Sequence, residues 1–243
     1  MRKTSAIALR EISACLLSPL AVVFLFFYLL LNGFLTFMAS GFFKFGELSA
    51  EGFFFWHPWL SMAFAPAIGM RLWAEERHQG TMELLLSLPV SVTQAVLGKF
   101  LAGWFFLALG LLMTFPFPLT LLYLGSPDMG PILTGYLGSF LLAGVCLSVS
   151  CAASACTRSQ TISFITSFTA CLLLVLAGYP PIVELLLKWG AGGGTVDFIA
   201  SFSLTHHFEA LRKGVVDLRD ILYFIALIAF GLCATGTIIR ERR

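Results

Sequence analysis

Apolar residues fill long uninterrupted runs in this chain, and the polar positions gather between them. Six runs meet or approach the ~20 residues a helix needs to cross a hydrocarbon core: 16–39, 53–73, 96–123, 132–155, 162–183 and 221–239. None alternates with period two, so spanning helices are expected rather than barrel strands. The first run is too long for a cleaved signal, and no small-residue cleavage site follows it. The pattern predicts an all-α integral membrane protein with six transmembrane helices in one domain over 1–243.

The segments between the runs carry their own punctuation. In "TSAIALREISAC", Ile7, Leu9, Ile12 and Leu16 can share a face, Thr4 can cap the start, and Pro19 marks a break. Residues 1–15 read as an amphipathic interface helix, or alternatively as a plain extension of the first span. The second run holds Pro58 and Pro66, both expected to kink it, and His57 near its outer end, read as an interfacial side chain. Ser91-Val92-Thr93-Gln94 and Thr157-Arg158-Ser159-Gln160 fit capping boxes for the third and fifth spans. The fourth run is dense in small residues: Gly135, Ser139, Ala143, Cys151 and Ala155 in one row, Gly144, Ser148, Ala152 and Cys156 in another. Such rows let helices approach closely, either inside one bundle or at a subunit interface.

The stretch "WAEERHQGTMELLLSLPVS" interrupts the apolar pattern at 73–91. The second helix should run past Arg71 as a charged stem and stop at Gly80. Thr81 then caps a short helix over 82–88, with Glu83 in its first turn, and Pro89 ends it. Its Leu84, Leu85, Leu86 and Leu88 have nothing in so short a loop to bury them, which points to a docking face for another protein or to contact with headgroups.

A second extramembrane segment, 184–220, contains the break Gly192–Gly194 and then "SLTHHFEALRKGVVDLRD". Thr205 can cap a short helix there, Arg212 and Lys213 suit its end, and Gly214 its stop. Asp217 can cap the sixth span, with Asp220 in its first turn. Phe208 and Leu211 are expected on an apolar side, and His206, His207, Arg212 and Arg219 in polar surroundings.

Composition agrees with this picture. The chain is 58% hydrophobic and 12% charged, where soluble domains carry roughly 25% charged residues. Of the 15 Lys and Arg residues, ten (Arg2, Lys3, Arg10, Arg71, Arg77, Lys99, Arg158, Arg240, Arg242, Arg243) fall on the side shared by both termini. The other side receives Lys44, Lys188, Arg212, Lys213 and Arg219. The excess places both termini and residues 75–91 in the cytoplasm, and 184–220 outside. The six cysteines lie in or beside apolar runs without a CxxC pair and read as packing residues. No basic patch suggests nucleic acid. Few charges fall within the runs, which favours an apolar or membrane-extracted cargo over a small ion.

"EERHQGTMELLLSLPVS" resembles the signature of type-2 ABC exporter permeases, and the span order, interface helix and re-entrant segment before the last span are similar too. "SFSLTHHFEALRKGVVDLRDILYF" further resembles the gliding-motility-associated branch. The resemblance implies that a cytoplasmic ABC ATPase dimer, which would hold ATP and Mg, docks on the coupling helix of this chain. A second permease subunit, identical or homologous, completes the transporter in a bacterial inner membrane, with a large exoplasmic-domain membrane protein as a further candidate partner. Carried onto this sequence, Glu75, Glu76 and Arg77 form the stem, Gly80 and Thr81 the hinge, and Glu83, Leu84, Leu85 and Pro89 belong to the docking helix. Phe208, Leu211, Arg212, Gly214, Asp217, Arg219 and Asp220 form an exoplasmic gate or partner contact.

The chain has no G-x-x-x-x-G-K-[ST] phosphate loop; "LGKF" at 97–100 lacks both the upstream glycine and the hydroxyl residue. Hydrolysis is therefore expected elsewhere, and no cofactor in this chain. A non-transporting membrane subunit that transmits ATPase motion to an exoplasmic partner fits the same residues. An intramembrane enzyme built on His57, His206, His207, Asp217 and Asp220 fits less well, for neither HExxH nor GxSxG occurs, so neither catalytic nor metal-binding residues are assigned.

Overall fold

A computed structural model describes residues 2–39, 50–82, 90–125, 127–188, 194 and 201–241. Among them the chain is helical, without strands. In order the helices are α1 (Arg2–Leu16), α2 (Pro19–Phe34, continued by a π turn Leu35–Ala39), α3 (Glu51–Phe55), α4 (His57–Gln79), α5 (Val92–Leu112) and α6 (Pro116–Leu124). They continue with α7 (Met129–Cys156), α8 (Gln160–Leu176), α9 (Pro180–Lys188), α10 (Leu204–Arg212) and α11 (Leu218–Glu241). Glu83, Leu84, Leu85 and Pro89 of the expected docking helix, and Gly192 and Gly193 of the glycine break, lie outside the described residues.

Among the described residues, four stretches are long and apolar enough to cross a membrane: Ala21–Ala39, Val92–Leu124, Met129–Cys156 and Leu218–Glu241. The other two expected spans take different forms. The run 53–73 is broken at Trp56, and α4 continues to Gln79, so one 23-residue helix joins an apolar half to a charged stem. The run 162–183 is two helices, because Pro180 and Pro181 cannot continue the ladder from α8. The apolar α8 has 17 residues, about 25 Å of rise, short of the ~30 Å core. The third run is also broken, at 113–115, where Pro116 restarts the helix as α6.

The bundle is organised around α7, against which α4, α5, α8, α10 and α11 all pack. Its Leu142, Val145, Cys146, Leu147 and Cys151 are fully buried. Small residues permit this. The two rows read in the sequence face two different sides of the same subunit. A Cβ on Gly135 would meet the Phe54 ring at 2.5 Å, on the α3–α4 side. One on Gly144 would meet Trp104 Nε1 at 2.9 Å and Ile228 at 3.0 Å, on the α5–α11 side. The rows therefore serve bundle packing within the chain. By contrast, α2 sits at the periphery and joins through aromatic edges. Phe24 and Tyr28 meet Phe64 at 4.9 and 5.2 Å between ring centroids, and Phe24 meets Phe106 at 5.6 Å.

Local capping followed the sequence in part. Ser91 makes a full capping box with Gln94, and Gly80 ends α4 at φ 70°. At α8 the N-cap position is Ser159, two residues later than expected and without a side-chain cap bond; Thr157 donates to the Ser159 carbonyl at 3.2 Å. Helix α1 starts before Thr4, so Thr4 caps nothing. Its face towards α5 is Thr4, Ile7, Ala8, Glu11, Ile12 and Cys15, while Leu9 and Leu16 point away, exposed. The reason is steric. Ile7 lies over Gly98 of α5, where a Cβ would stand 2.9 Å from it, and that contact fixes the rotation of α1.

Close packing of α11 on α7 sets an expected outcome. A Cβ on Gly231 would lie 2.6 Å from Ser148 Oγ and 3.0 Å from its backbone carbon. Gly231→Val should therefore lower stability by the ~1–3 kcal/mol typical of overpacking, seen as a lower thermal unfolding midpoint in detergent. Gly236→Ala, with nothing within 4 Å of its new methyl group, should leave the midpoint unchanged.

Candidate functional site

The charged stem is the C-terminal half of α4, and its geometry is set from both neighbours. At its base, Ser154 of α7 enters the α4 ladder. Its hydroxyl accepts from the backbone N–H of Trp73 (3.1 Å) and Ala74 (3.0 Å) and donates to the Met70 carbonyl at 3.0 Å. A side chain inserted in this way is a recognised cause of a helix bend. Pro66, about two turns earlier, supplies no N–H to its own helix.

One turn further on, Glu76 works from both ends. Its carboxylate holds Lys99 Nζ of α5 at 2.8 Å. Its carbonyl accepts the N–H of Gly80, which closes the helix, the N–H of Thr81 at 3.0 Å, and the Thr81 hydroxyl at 3.4 Å. The hinge Gly80–Thr81 is thus hung from Glu76, and Glu76 is anchored to α5. The bonds described for Thr81 run back to the stem, and the helix it is expected to cap lies, beyond Met82, outside the described residues.

Lys99 is the residue the sequence did not single out. Its side chain is 3% exposed. Besides Glu76 it meets Glu11 of α1 at 3.5 Å and lies 5.3 Å from the Trp73 ring centre. Below it, Trp73, Val92, Ala95, Val96, Ala155 and Ile239 form a separate buried apolar cluster. A lysine at such a site is stable only when paired, since an isolated ammonium in an apolar setting is very costly. The only signal in the sequence was a charge inside an otherwise apolar helical pattern. Around the triad, Arg71 Nε bonds Glu75 at 3.2 Å, Arg10 bonds Glu11 at 3.0 Å, and Arg77 Nε points at the Met82 sulfur, 3.4 Å away. Burial pushes the Cys15 thiol of α1 above its usual range; the nearby Arg71 charge partly offsets this, while Glu11 adds to it. That keeps Cys15 a protonated packing residue.

The opposite end of the bundle holds the second predicted group. Ser203, and not Thr205, caps α10 by accepting the His206 N–H. Thr205 sits inside the first turn and donates to the Val175 carbonyl of α8 at 3.0 Å. Phe208 and Leu211 are buried, as expected, against Gly138 of α7, and Thr134 donates to the Leu211 carbonyl at 2.6 Å. Gly214 ends the segment at φ 89° and packs on Pro131. Arg212 lies 5.6 Å from the Phe55 ring centre and 3.6 Å from Glu209. Asp217 caps α11 through the Arg219 N–H at 2.9 Å. His206 and Arg219 are exposed, but His207 is buried, because it bridges α10 to α11. Its Nδ1 meets Asp220 Oδ1 at 2.7 Å, its Nε2 meets the Ser201 carbonyl at 3.1 Å, and its ring stacks 3.9 Å from Tyr223. Both nitrogens face acceptors, so a ring protonated on both donates to both.

His57 also departs from expectation. It is 1% exposed rather than interfacial, since α4 starts inside the bundle. Asn32 of α2 donates to its Nε2 (3.4 Å), its Nδ1–H donates to Ser139 of α7, and Ser139 donates to the Gly135 carbonyl at 2.8 Å; the directions follow from the order of donors and acceptors. This chain ties the peripheral α2 to the bundle. His57 and the pair His207–Asp220 are therefore separate sites, and among the described residues no cluster of His, Cys, Asp or Glu could hold a metal ion.

The family model described as ABC-2 family transporter protein matches residues 35–235, a stretch that includes the stem, Lys99 and the His207–Asp220 bridge. A search of the curated proteins found no match.

Two outcomes follow from the site. Lys99→Met should cost about 1–3 kcal/mol, the usual penalty for leaving polar groups without a partner, since Glu76 and Glu11 are only partly buried; it is read as a lower unfolding midpoint and faster amide exchange in α1. The triple variant that adds Glu11→Gln and Glu76→Gln should recover most of the loss. At the other end, Asp220→Asn should weaken a charged hydrogen bond worth about 1.5–3 kcal/mol, raising amide exchange over 204–212 while leaving α1 protected.

Proposed function

The chain belongs to the ABC-2 family of transporter membrane proteins, and on that premise we propose that it is the permease subunit through which a separate ATPase drives export, or extraction of a substrate, at the bacterial inner membrane. The family match, with the long apolar helices, makes it a multi-pass membrane permease. In this reading α4 and α8 complete six spans, both termini are cytoplasmic, and the stem projects towards an ABC ATPase dimer, which binds ATP and Mg. A second permease subunit completes the transporter. The likeness of 201–224 to the gliding-motility-associated branch supports placement in that branch and a large exoplasmic partner.

One observation carries the coupling role. Glu76 joins the Gly80–Thr81 hinge to Lys99 of α5 and, through it, to Glu11 of α1. A push on the segment after Thr81 is delivered first to Glu76, and from there to two more helices by ion pairs rather than by flexible chain. The route continues along α4, past the Ser154 insertion, to His57 and the outer half of the bundle. The exoplasmic gate or partner contact is then α10 with the start of α11, whose His207–Asp220 bridge must yield if α10 is to move.

Gly80→Pro should uncouple the ATPase while the helices still insert. Proline cannot adopt the φ of 70° found there, and it removes the N–H donated to Glu76. Leu85→Asp should do the same by charging the proposed docking face. Co-purification of the cognate ATPase is the measurement, and wild-type recovery with both variants would remove the docking role. The permease purified alone should show no ATP hydrolysis above background; specific turnover would refute the division of labour.

A further inference from the structure

A cavity of about 780 Å³ lies between α1, α2, α4 and α5, beside the Lys99 triad. We propose that it is a binding site for a phospholipid of the cytoplasmic leaflet with a zwitterionic, amine-bearing headgroup. The lipid would place its phosphate and ammonium at the charged rim and an acyl chain along the apolar floor. The proposal rests on the orientation given above, but not on the identity of the cargo.

Polarity changes along the cavity in register with its walls. On α4 the lining residues follow one helical face from Ile68 through Leu72 to Glu75, Glu76 and Gln79, a rise of about 16 Å. On α5 the order is the same in the opposite chain direction, from Phe106 through Gly103 and Ala102 to Lys99. Phe24 and Ala21 of α2 close the deep part. Apolar residues therefore line one end and charges the other, which is the distribution of an amphiphile and not of a soluble metabolite. The charged end adjoins α1, which the sequence predicts to be the interface helix.

The rim also selects the headgroup. Three basic side chains, Arg10, Arg71 and Lys99, face three acidic ones, Glu11, Glu75 and Glu76. Lys99 is taken up by Glu76 and Glu11. Arg10 uses Nη2 for Glu11 and Arg71 uses Nε for Glu75, which leaves each guanidinium with further N–H groups of its five. These two come from opposite walls, α1 and α4, and their side chains are 65% and 38% exposed. They suit a phosphate. The carboxylate of Glu75, 33% exposed, suits a primary ammonium. A balanced rim gains little from a net anion, whereas a phosphoethanolamine group meets both signs. A lipid seated here bridges α1 to the stem, next to the Glu11–Lys99–Glu76 triad.

The test uses the permease–ATPase complex in nanodiscs containing a phosphatidylethanolamine with a diazirine on its acyl chain. After irradiation, adducts are mapped by mass spectrometry. Adducts are expected on the α2, α4 and α5 peptides that line the floor. Ala67→Phe, which fills the floor from α4, should reduce them at least about tenfold, a loss of ~1.4 kcal/mol of binding. Ala14→Phe fills the cavity from α1 at an exposed position, and keeps the test decisive if Ala67→Phe does not fold. Labelling by a phosphatidylglycerol probe with the same acyl group should be correspondingly weaker. Undiminished labelling in the folded filling variants would overturn the site, and equal labelling by both lipids would overturn the zwitterionic headgroup. Co-purified ATPase is measured in the same samples. Its loss from Gly80→Pro with labelling intact, or its retention there with labelling absent, separates the lipid site from the coupling role.

Discussion

A single buried ammonium organises the charged end of this molecule. Lys99 sits between Glu76 and Glu11, and no two of these residues share a helix. Removing the charge from water is costly, and the attraction of its partners must offset that cost before any net stabilisation appears. The pairing is therefore best understood as fixing geometry: α1, α4 and α5 can meet in few arrangements that leave Lys99 paired. The same residue that pairs with Lys99 also ends α4, because the Glu76 carbonyl caps the Gly80–Thr81 turn. Side-chain electrostatics and backbone hydrogen bonding converge on one position, so displacement of the hinge disturbs the ion triad, and the reverse.

Close packing across the bundle depends on a different principle. Helix α7 contributes small residues where neighbours approach, Gly135 to Phe54, Gly144 to Trp104, Ser148 to Gly231. In an apolar solvent helices gain little from the hydrophobic effect against one another, and close van der Waals contact with a few hydrogen bonds has to hold them. Ser139 and Ser154 supply those bonds to α4 at its start and at the base of the stem. Ser154 bonds to α4 where its apolar half gives way to the charged half. At the far end the bridge from His207 to Asp220 and Tyr223 plays the matching part, fastening α10 to the last helix.

Three of the polar pairings fasten a peripheral element to a neighbouring helix: Asn32 with His57 joins α2 to α4, Glu11 with Lys99 joins α1 to α5, and His207 with Asp220 joins α10 to α11. Apolar contact alone would let these elements slide, because lipid tails compete equally for their surfaces. Directional bonds in a dry setting remove that freedom.

Much of the local structure was legible from the chain. The stops at Gly80 and Gly214, the box Ser91–Gln94, the cap Asp217 and the break before Pro19 are decided by residues within a few positions of one another, and capping chemistry acts at that range. The buried Phe208 and Leu211 were legible from the amphipathic pattern. Thr205 was misread as a cap because Ser203 takes that role while Thr205 bonds to α8, and the cap position of α8 fell at Ser159, which makes no cap bond, rather than at Thr157. The site itself was legible only in its stem and hinge. Its anchor was not, since Lys99 and Glu11 are 88 residues apart and His57 and Ser139 are 82 apart. The sequence by itself determined the helical membrane class, the charged stem and the turns, since hydropathy and capping are properties of short windows. Only the tertiary structure decided which polar side chain meets which, because that depends on helix rotation, and rotation is set by contacts such as Ile7 on Gly98 that no local window contains.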